Sequence, residues 1–429
     1  MNVGIVGGGT MGLTLAYRLS RRGHQVTALE GAGQIGGLST WFDYGDFVWD
    51  KFYHVILRSD AHLLGLIEEL GLSTRLNWAQ TKTGFLWQGR LLSMSSHWEF
   101  LTFPALSAID KLRLAAGILR CQRISDPSAL ESMPAAAWLQ RLFGARVYQT
   151  LWAPLLESKF GALSPKVPAT IMWATIRRYY STRSKSQGAE SMGFLSGGLK
   201  ALFETLAQAI EAQGGRIVCC APVASIDESP RGKVLVQAGA QRYEFDCLIS
   251  TLPTALLRSI APQLRGDLPD PSADPQFLGV LCMALVLRRP LSPYYVTNLI
   301  QRGLPFTGLI EVSNLAGPRA LNGRFLAMLP RYELPDSPWF QKSSEEIAAE
   351  FLAALKPVWP DVEDNLVRSF VHRERRVQAL WINRPPAAAA PLRAWNGKVW
   401  SVNAELAGRD TLNNNAIVRV ANQAAEWFI

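Results

Sequence analysis

The sequence predicts an α/β protein, an α+β arrangement of two domains, in which a parallel-sheet domain is laid down in pieces and interrupted by a domain of mixed sheet and helix. Three observations carry this. A short apolar run, a glycine-rich turn and an apolar-faced helical stretch open the chain between Met1 and Glu30. A helix-and-strand series returns between Ala201 and Pro253, and a strand, turn and helix close the chain after Gly397. Between these pieces lie two long excursions, the first helical in pattern and the second mixed.

Composition sets the outer bounds. The 429 residues, 48% of them hydrophobic, suffice for two or three domains with substantial cores and exclude a disordered class. Apolar runs such as Phe277 to Leu287 are too short to span a bilayer. With a strand starting at residue 2 there is no room for a cleaved leader in this sequence, so a cytoplasmic location is expected. Five cysteines, including the adjacent Cys219 and Cys220, give neither C-x-x-C nor a zinc spacing, and the five histidines form no H-x-x-x-H; no metal site is expected. The 44 basic residues against 35 acidic ones, a net +9, suit an anionic small molecule or an acidic membrane surface and lack the density of a nucleic-acid face.

Val3, Ile5 and Val6 read as the first strand. Gly7, Gly9 and Gly12 then give G-x-G-x-x-G, and a helix through Leu13, Ala16, Leu19 and Ser20 stops at Gly23. The three glycines answer three different demands. Gly7 permits the tight turn, Gly9 lets backbone approach a pyrophosphate, and Gly12 allows the helix to pack closely on the strand. The free N–H groups of the helix start, at Thr10 and Met11, favour an anion there. A second strand, Gln25 to Leu29, ends on Glu30, an acceptor for ribose hydroxyls that favours FAD or NAD over a 2′-phosphorylated cofactor. This is a Rossmann-like beginning. The doublet Gly36-Gly37, followed by Leu38 and Ser39, lets backbone pass close to a cofactor pyrophosphate, as an extended FAD requires.

The order G-x-G-x-x-G, acid, Gly-Gly resembles the flavin amine oxidase superfamily, which includes protoporphyrinogen oxidases and phytoene desaturases. Those relatives often carry arginines around the doublet, where Gln34 and Leu38 stand here. The resemblance implies a Rossmann-like FAD-binding domain assembled from residues 1–75, 190–256 and 395–429. A substrate domain from 76–189 and 257–394 would include a helical subdomain at about 98–185. It also implies that the stretch Asp50-Lys51-Phe52-Tyr53-His54 passes near the flavin ring, so Asp50 and His54 are site candidates, with a surface acid and a hydrogen-bonded histidine as the plainer reading.

Ala61 to Leu72 reads as a helix ending at Gly71. From Trp98 the pattern is helical: Ser107-Ala108-Ile109-Asp110 is a capping-box variant, and Ala135 to Phe143 and Ala145 to Leu156 are further helices broken at Gly144 and Pro154. The stretch Leu151 to Gly161 resembles bacterial protoporphyrinogen-oxidase-like proteins. Within it Lys159 is either a substrate-site cation or a helix C-terminal lysine favoured by the dipole. The basic run Arg177 to Lys185, with interleaved tyrosines, suits an anionic head group or a solvated loop.

A helix at Ala201 to Ala212 precedes strands at Arg216 to Ile226, Gly232 to Gln237 and Tyr243 to Ile249. By resemblance, Val223 offers backbone to adenine, while Thr251 and Pro253 cross near the cofactor. Leu278 to Leu287 is a buried strand, a helix spans Ser344 to Leu355 and a strand Leu366 to Val371. In this second excursion Tyr294, Tyr295, Glu311, His372 and Arg373 are pocket candidates, although aromatics at such density also build core. The last helix begins at Asn413-Asn414-Asn415-Ala416. Where relatives usually have glycines, Asn403 and Asn415 stand, with Ala416 beside them; Asn413 and Asn414 have solvent-facing capping as the plainer reading.

The implied activity is that of a FAD-dependent oxidoreductase passing hydride from a small-molecule substrate to flavin N5, with His54, Lys159, Tyr295 and Glu311 as catalytic candidates and no assignable acid–base dyad. The substrate class stays open between apolar, porphyrinogen, amine and lipid-linked molecules, with peripheral membrane contact through the helical insertion among the possibilities. One alternative is a non-redox flavoenzyme resembling UDP-galactopyranose mutase, and another is a flavin-retaining binding or assembly protein.

Overall fold

A computed structural model describes residues 1–181, 190–382, 391–408 and 411–428. The opening segment folds as strand β1 (Asn2–Val6), helix α1 (Thr10–Ser20) and strand β2 (Gln25–Leu29). β1 lies centrally in a six-stranded sheet, paired in parallel with β2 on one side and with Cys247–Ser250 on the other. Arg216–Val218 extends the sheet beyond β2, and Val399–Ser401 extends it beyond Cys247–Ser250, with Leu392–Ala394 as an antiparallel edge. Pieces far apart in sequence therefore build one sheet.

α1 is buried on nearly every side, because the closing helix Asn414–Ala425, the helix Lys200–Ala212 and the sheet all pack on it. That explains the lack of a polar stripe in its sequence. Its exception, Arg18, reaches out to Asn422 and Glu69. Val3, Ile5, Leu13, Leu15 and Leu19 of this segment are sealed from solvent and join the closing helix through Val418 and Ala421. Each such aliphatic side chain contributes about 1.5–3 kcal/mol on burial.

The three strand runs expected between Arg216 and Ile249 are five strands in two sheets. Arg216–Val218 and Cys247–Ser250 belong to the parallel sheet, while Val223–Glu228, Val234–Ala238 and Gln241–Phe245 form an antiparallel meander. The break falls at Cys220, whose φ of 53° turns the chain out of the first strand.

The second domain centres on a seven-stranded sheet ordered Leu366–Leu380, Gln276–Leu287, Phe325–Glu333, Gly308–Glu311, Val296–Leu299, Thr83–Trp87 and Arg90–Ser93. Gln276–Leu287 is an interior strand between Leu366–Leu380 and Phe325–Glu333 and is buried from Leu278 onward, as its unbroken apolar run requires. On the helical side, Ala108–Arg123, Ala135–Phe143 and Ala169–Tyr180 pack together, and Ser107 and Asp110 do form a capping box. The expected break at Pro154 is absent: Pro154 sits in the first turn of the helix Ala153–Phe160, where its missing N–H costs nothing, and the irregularity is a π-turn at Tyr148–Trp152.

Candidate cofactor and substrate site

The glycines do what their spacing predicts, with one addition. Gly7 has φ 111°, and a side chain on Gly12 would sit 1.9 Å from the Gly7 carbonyl oxygen, so helix and turn touch backbone to backbone. A side chain on Gly9 would meet only Gly36 and Gly37, at 3.7 Å and beyond, in the gap between the two glycine loops. Gly36 donates its N–H to the Gly8 carbonyl at 2.9 Å, and a side chain on Gly37 would lie 3.1 Å from Gly9 Cα. The doublet therefore seats one loop on the other, beyond any approach to a cofactor. Helix α1 begins at this gap with Gly9 as its N-cap and no side chain bonded to its first N–H groups. This is a cradle that a Cβ would fill beside donors that await an anion, and it fits a dinucleotide pyrophosphate.

Glu30 stands at the end of β2, where its carboxylate accepts N–H groups from Gly8 at 2.6 Å and Ala32 at 2.8 Å. Both bonds fix the carboxylate at the lip of the cradle. Thr251 braces the turn from behind: its hydroxyl donates to the Val6 carbonyl at 2.8 Å and overlies Gly7. Val223 is half-buried at the start of the meander, and the neighbouring Ala221 donates to the Glu30 carbonyl. Gln34, in the place of an arginine, is turned away to Thr40 and Trp41. Leu38 is half-exposed on the second loop.

The closing helix reaches the site through Asn414, a residue whose sequence context suggested only a solvent-facing cap. Asn414 Oδ1 accepts from Thr10 Oγ1 at 2.9 Å and Ser39 Oγ at 2.8 Å, tying the start of α1 to the second glycine loop. Asn415 instead turns to another helix, Ala61–Glu69, accepting the N–H groups of His62 and Leu63. Asn413 is the N-cap, bonded to the Ala416 N–H at 3.0 Å. Asn403 is buried and its amide bonds Leu252, Thr254 and Ser401, so it fastens the crossing chain rather than presenting itself at the cradle.

Asp50 and His54 flank the second loop. Asp50 is buried, accepts the Leu199 N–H at 2.7 Å, and has its carboxyl pushed up to about 7 by burial. His54 is driven down to about 4 by burial and is neutral at pH 7. Its Nδ1 lies 3.0 Å from the Phe52 carbonyl and so carries the proton; its Nε2, left as an acceptor, lies 3.4 Å from Ser39 Oγ. At 3.9 Å from Asp50 it is a neighbour without a hydrogen bond.

The residue before His54 looks the other way. Tyr53 OH meets Tyr332 OH, on a central strand of the second sheet, at 2.6 Å. Lys159 lies 5.5 Å from the centre of the Tyr332 ring and 5.5 Å from that of Phe160, and burial lowers its ammonium to about 8. Among the described residues it has no acidic partner. Tyr53, His54 and Lys159 are half-buried, and Tyr179, itself exposed, is an electrostatic neighbour of both Tyr53 and Tyr332. A pocket of about 210 Å³ is lined by Ser158, Phe160, Phe306, Arg331 and Tyr332.

Other candidates are structural. Glu311, raised to about 7 by burial, is taken up by the Leu291 and Ser292 N–H groups and the Ser292 hydroxyl. Tyr295 is packed in the core with Met328 and Trp49, and Tyr294 lies over Gly84. His372 is a core histidine against Phe42 and Tyr44, lowered to about 4 by burial. Arg373 fastens its strand to Lys342 and Ser344. In the basic run, Arg177 bonds the Ile124 carbonyl and Arg178 pairs with Asp60; residues 182–185 lie outside the described residues. Tyr53 and Tyr179 fall inside stretches the sequence marks and Asn414 at the marked start of the last helix, but Tyr332 carries no signal, because no spacing distinguishes a tyrosine at a site from one in a core.

A glycine cradle for a dinucleotide, joined through the consecutive residues Tyr53 and His54 to the sheet of a second domain, is the arrangement of a two-domain flavoenzyme. The model of the flavin containing amine oxidoreductase family matches residues 12–377, and the chain belongs to that family. It is an oxidoreductase with FAD as its cofactor. A 15-cis-phytoene desaturase from Synechococcus elongatus is 23% identical over 84% of this chain and 80% of its own length. A protein described as a protoporphyrinogen oxidase from Exiguobacterium sp. 255-15 superposes with a TM-score of 0.74 at 16% identity, covering 100% of this chain and 98% of that one. Reduced UDP-galactopyranose mutase shares the fold with a TM-score of 0.72 at 15% identity, over 99% and 96% of the two chains. Among the described residues there is no helix long and apolar enough to cross a membrane and no cluster of metal-binding side chains.

Proposed function

We propose that this protein dehydrogenates a largely apolar small molecule held in the cavity walled by Tyr53, Tyr179 and Tyr332, with Lys159 placed to neutralise one polar end. The observation that carries the reading is the pair Tyr53 and His54: adjacent residues of which one bonds the substrate-domain strand and the other faces Ser39 of the cofactor loop. The cradle of Gly9, Gly12, Gly36 and Gly37, with Glu30 at its lip, would hold the pyrophosphate and ribose.

When bound, FAD supplies the hydride acceptor. The chain supplies position and dryness. The tyrosine rings present apolar faces to a substrate while their hydroxyls bond each other, so the wall is wetted by neither. Neutral His54 keeps a lone pair on Nε2 toward Ser39 and adds no charge beside the ring site. Lys159 is held unpaired at a cost in solvation, which points to a group whose partner is a ligand. The mutase reading draws on the basic run at 177–185, and its two described arginines are already engaged by Ile124 and Asp60.

The test is anaerobic bleaching of bound flavin by a panel containing an acyclic polyene precursor, a porphyrinogen, a primary amine and a nucleoside diphosphate sugar. Bleaching by an apolar member, slowed in Tyr332→Ala, supports the reading. Turnover of the sugar nucleotide by pre-reduced protein, without net bleaching, would overturn it.

A further inference from the structure

The cysteines divide into two groups. Cys121, Cys247 and Cys282 are buried, and burial pushes their thiols up to about 11, 12 and 12. Cys219 is half-buried and its chain neighbour Cys220 is exposed, so the two accessible thiols are consecutive in sequence. They follow the strand Arg216–Val218 and stand beside Glu30 at the lip of the cradle. Three backbone bonds fasten them there: Glu30 N–H to the Val218 carbonyl, Cys220 N–H to the Ala32 carbonyl and Ala221 N–H to the Glu30 carbonyl, each at 2.8 Å. Burial pushes the Cys219 thiol up, and the Glu30 carboxylate adds to that shift, which places the acid and the sulfur within electrostatic reach. Cys220 Sγ overlies Gly33, where a side chain would lie 3.6 Å from the sulfur, so the loop leaves it uncovered.

We propose that Cys219 and Cys220 are a thiol–disulfide exchange site for a low-molecular-weight disulfide, and that closing their disulfide loosens Glu30 and lowers the affinity for FAD. The exposed Cys220 thiolate attacks one sulfur of the incoming disulfide; that S–S bond breaks and one thiol leaves. Cys219, as thiolate, then attacks Cys220 Sγ, the mixed disulfide breaks and a second thiol leaves. The protein gives up two electrons and two protons, which the two released thiols carry. Consecutive Cα atoms lie about 3.8 Å apart, short of the roughly 4.4–6.8 Å that disulfides usually span. The ring therefore closes under strain, and an exposed, strained disulfide is readily reduced, so the step runs in both directions. Closing so small a ring resets the torsions of the peptide between the two cysteines. The N–H of that peptide is the one bonded to the Ala32 carbonyl, and the Ala32 N–H in turn holds Glu30 Oε1 at 2.8 Å. Oxidation thus acts on the orientation of the Glu30 carboxylate, and the coupling rests on the reading of Glu30 as the ribose acceptor.

FAD-loaded protein is incubated with glutathione disulfide, and its intact mass, thiol content and FAD affinity are read before and after dithiothreitol. The expected product has lost two hydrogens, maps to the peptide carrying Cys219 and Cys220, and binds FAD about tenfold more weakly, the loss of roughly one hydrogen bond. Dithiothreitol should restore both mass and affinity. Cys220→Ser should stay unmodified and hold FAD equally with and without oxidant, and Cys219→Ser should stop at a glutathione adduct on Cys220. Both thiols retained in the wild type, or an adduct that Cys219 never resolves, overturns the site. A disulfide that leaves FAD affinity unchanged overturns the coupling. Glu30→Gln separates the two readings. Wild-type FAD affinity in that variant refutes the ribose role of Glu30 and the coupling with it, whereas weakened affinity there, beside a wild type whose affinity ignores the oxidant, refutes the coupling alone.

Discussion

Asn414 offers the sharpest perturbation, because its neighbour provides the control. Its side-chain oxygen is a shared acceptor for Thr10 and Ser39, whose hydroxyls are almost wholly buried at 7% and 4% exposure. In Asn414→Ala, Ser39 can redirect its proton toward His54 Nε2, 3.4 Å away, whereas Thr10 has no second partner of that kind. A buried hydroxyl left unsatisfied costs about 1–3 kcal/mol. Because both hydroxyls border the cradle, the loss falls on the cofactor-competent arrangement, and about 1.4 kcal/mol corresponds to tenfold in affinity. FAD affinity should therefore drop by roughly ten- to a hundredfold. Asn415→Ala removes the cap over His62 and Leu63, costs about 1 kcal/mol of stability and leaves FAD affinity alone. The assay is reconstitution of apoprotein, followed by flavin fluorescence, beside a urea titration of each variant. If Asn414→Ala binds FAD as wild type does, or Asn415→Ala weakens it equally, the assignment of Asn414 to the cofactor site is wrong.

Gly12→Ala should lose both fold stability and flavin, since its Cβ would strike the Gly7 carbonyl oxygen at 1.9 Å, while Gly9→Ala should leave the apoprotein melting temperature near wild type and lose flavin retention; equal melting temperatures for the two variants would contradict this. Asp50 has a raised carboxyl, so between its ordinary 3.8 and about 7 the unfolded chain sheds a proton that the native state keeps, and stability falls as pH rises across that window. Asp50→Asn, which keeps an acceptor for Leu199, should flatten that fall in a series of urea midpoints; an unchanged slope would show that Asp50 is not the group responsible. Lys159→Met should raise the urea midpoint at pH 7 by removing an unpaired, desolvated cation, yet slow substrate-driven flavin bleaching. Between about 8 and 10.5 the unfolded chain holds a proton that native Lys159 gives up, so wild-type stability gains with pH there, and the variant should lose that gain.

The cofactor half of this protein is legible in its sequence because its constraints are backbone constraints. Gly7, Gly12, Gly36 and Gly37 are dictated by φ and by contact distances that admit no Cβ, and such demands appear in the sequence as glycine at fixed offsets. The proposed substrate half is not, because it rests on tyrosines whose role depends on which side of a packed layer they face. Tyr295 and Tyr332 are both on strands or strand ends of the same sheet; one is packed in the core and the other meets Tyr53. Asn414 and Asn415 differ by one helical step, about 100° of rotation, which sends one toward the glycine loops and the other toward a neighbouring helix. Pro154 reads as a break because an isolated proline does not announce whether it lies in a helix interior or its first turn.

The interleaving of the two sheets has a mechanical consequence. Ordered along the chain, the strands begin in the parallel sheet, move to the seven-stranded one, return, leave again and come back, so the polypeptide passes between the sheets four times. A clamshell joined by one linker opens by changing a few torsions; this pair would need four strands of covalent chain to flex in concert, and the Tyr53–Tyr332 and Arg324–Asp46 contacts to part with them. The two sheets are joined by covalent chain in four places where a single-linker clamshell has one. A molecule bound between the sheets would meet a boundary held by the Tyr53–Tyr332 and Arg324–Asp46 contacts as well as by covalent chain.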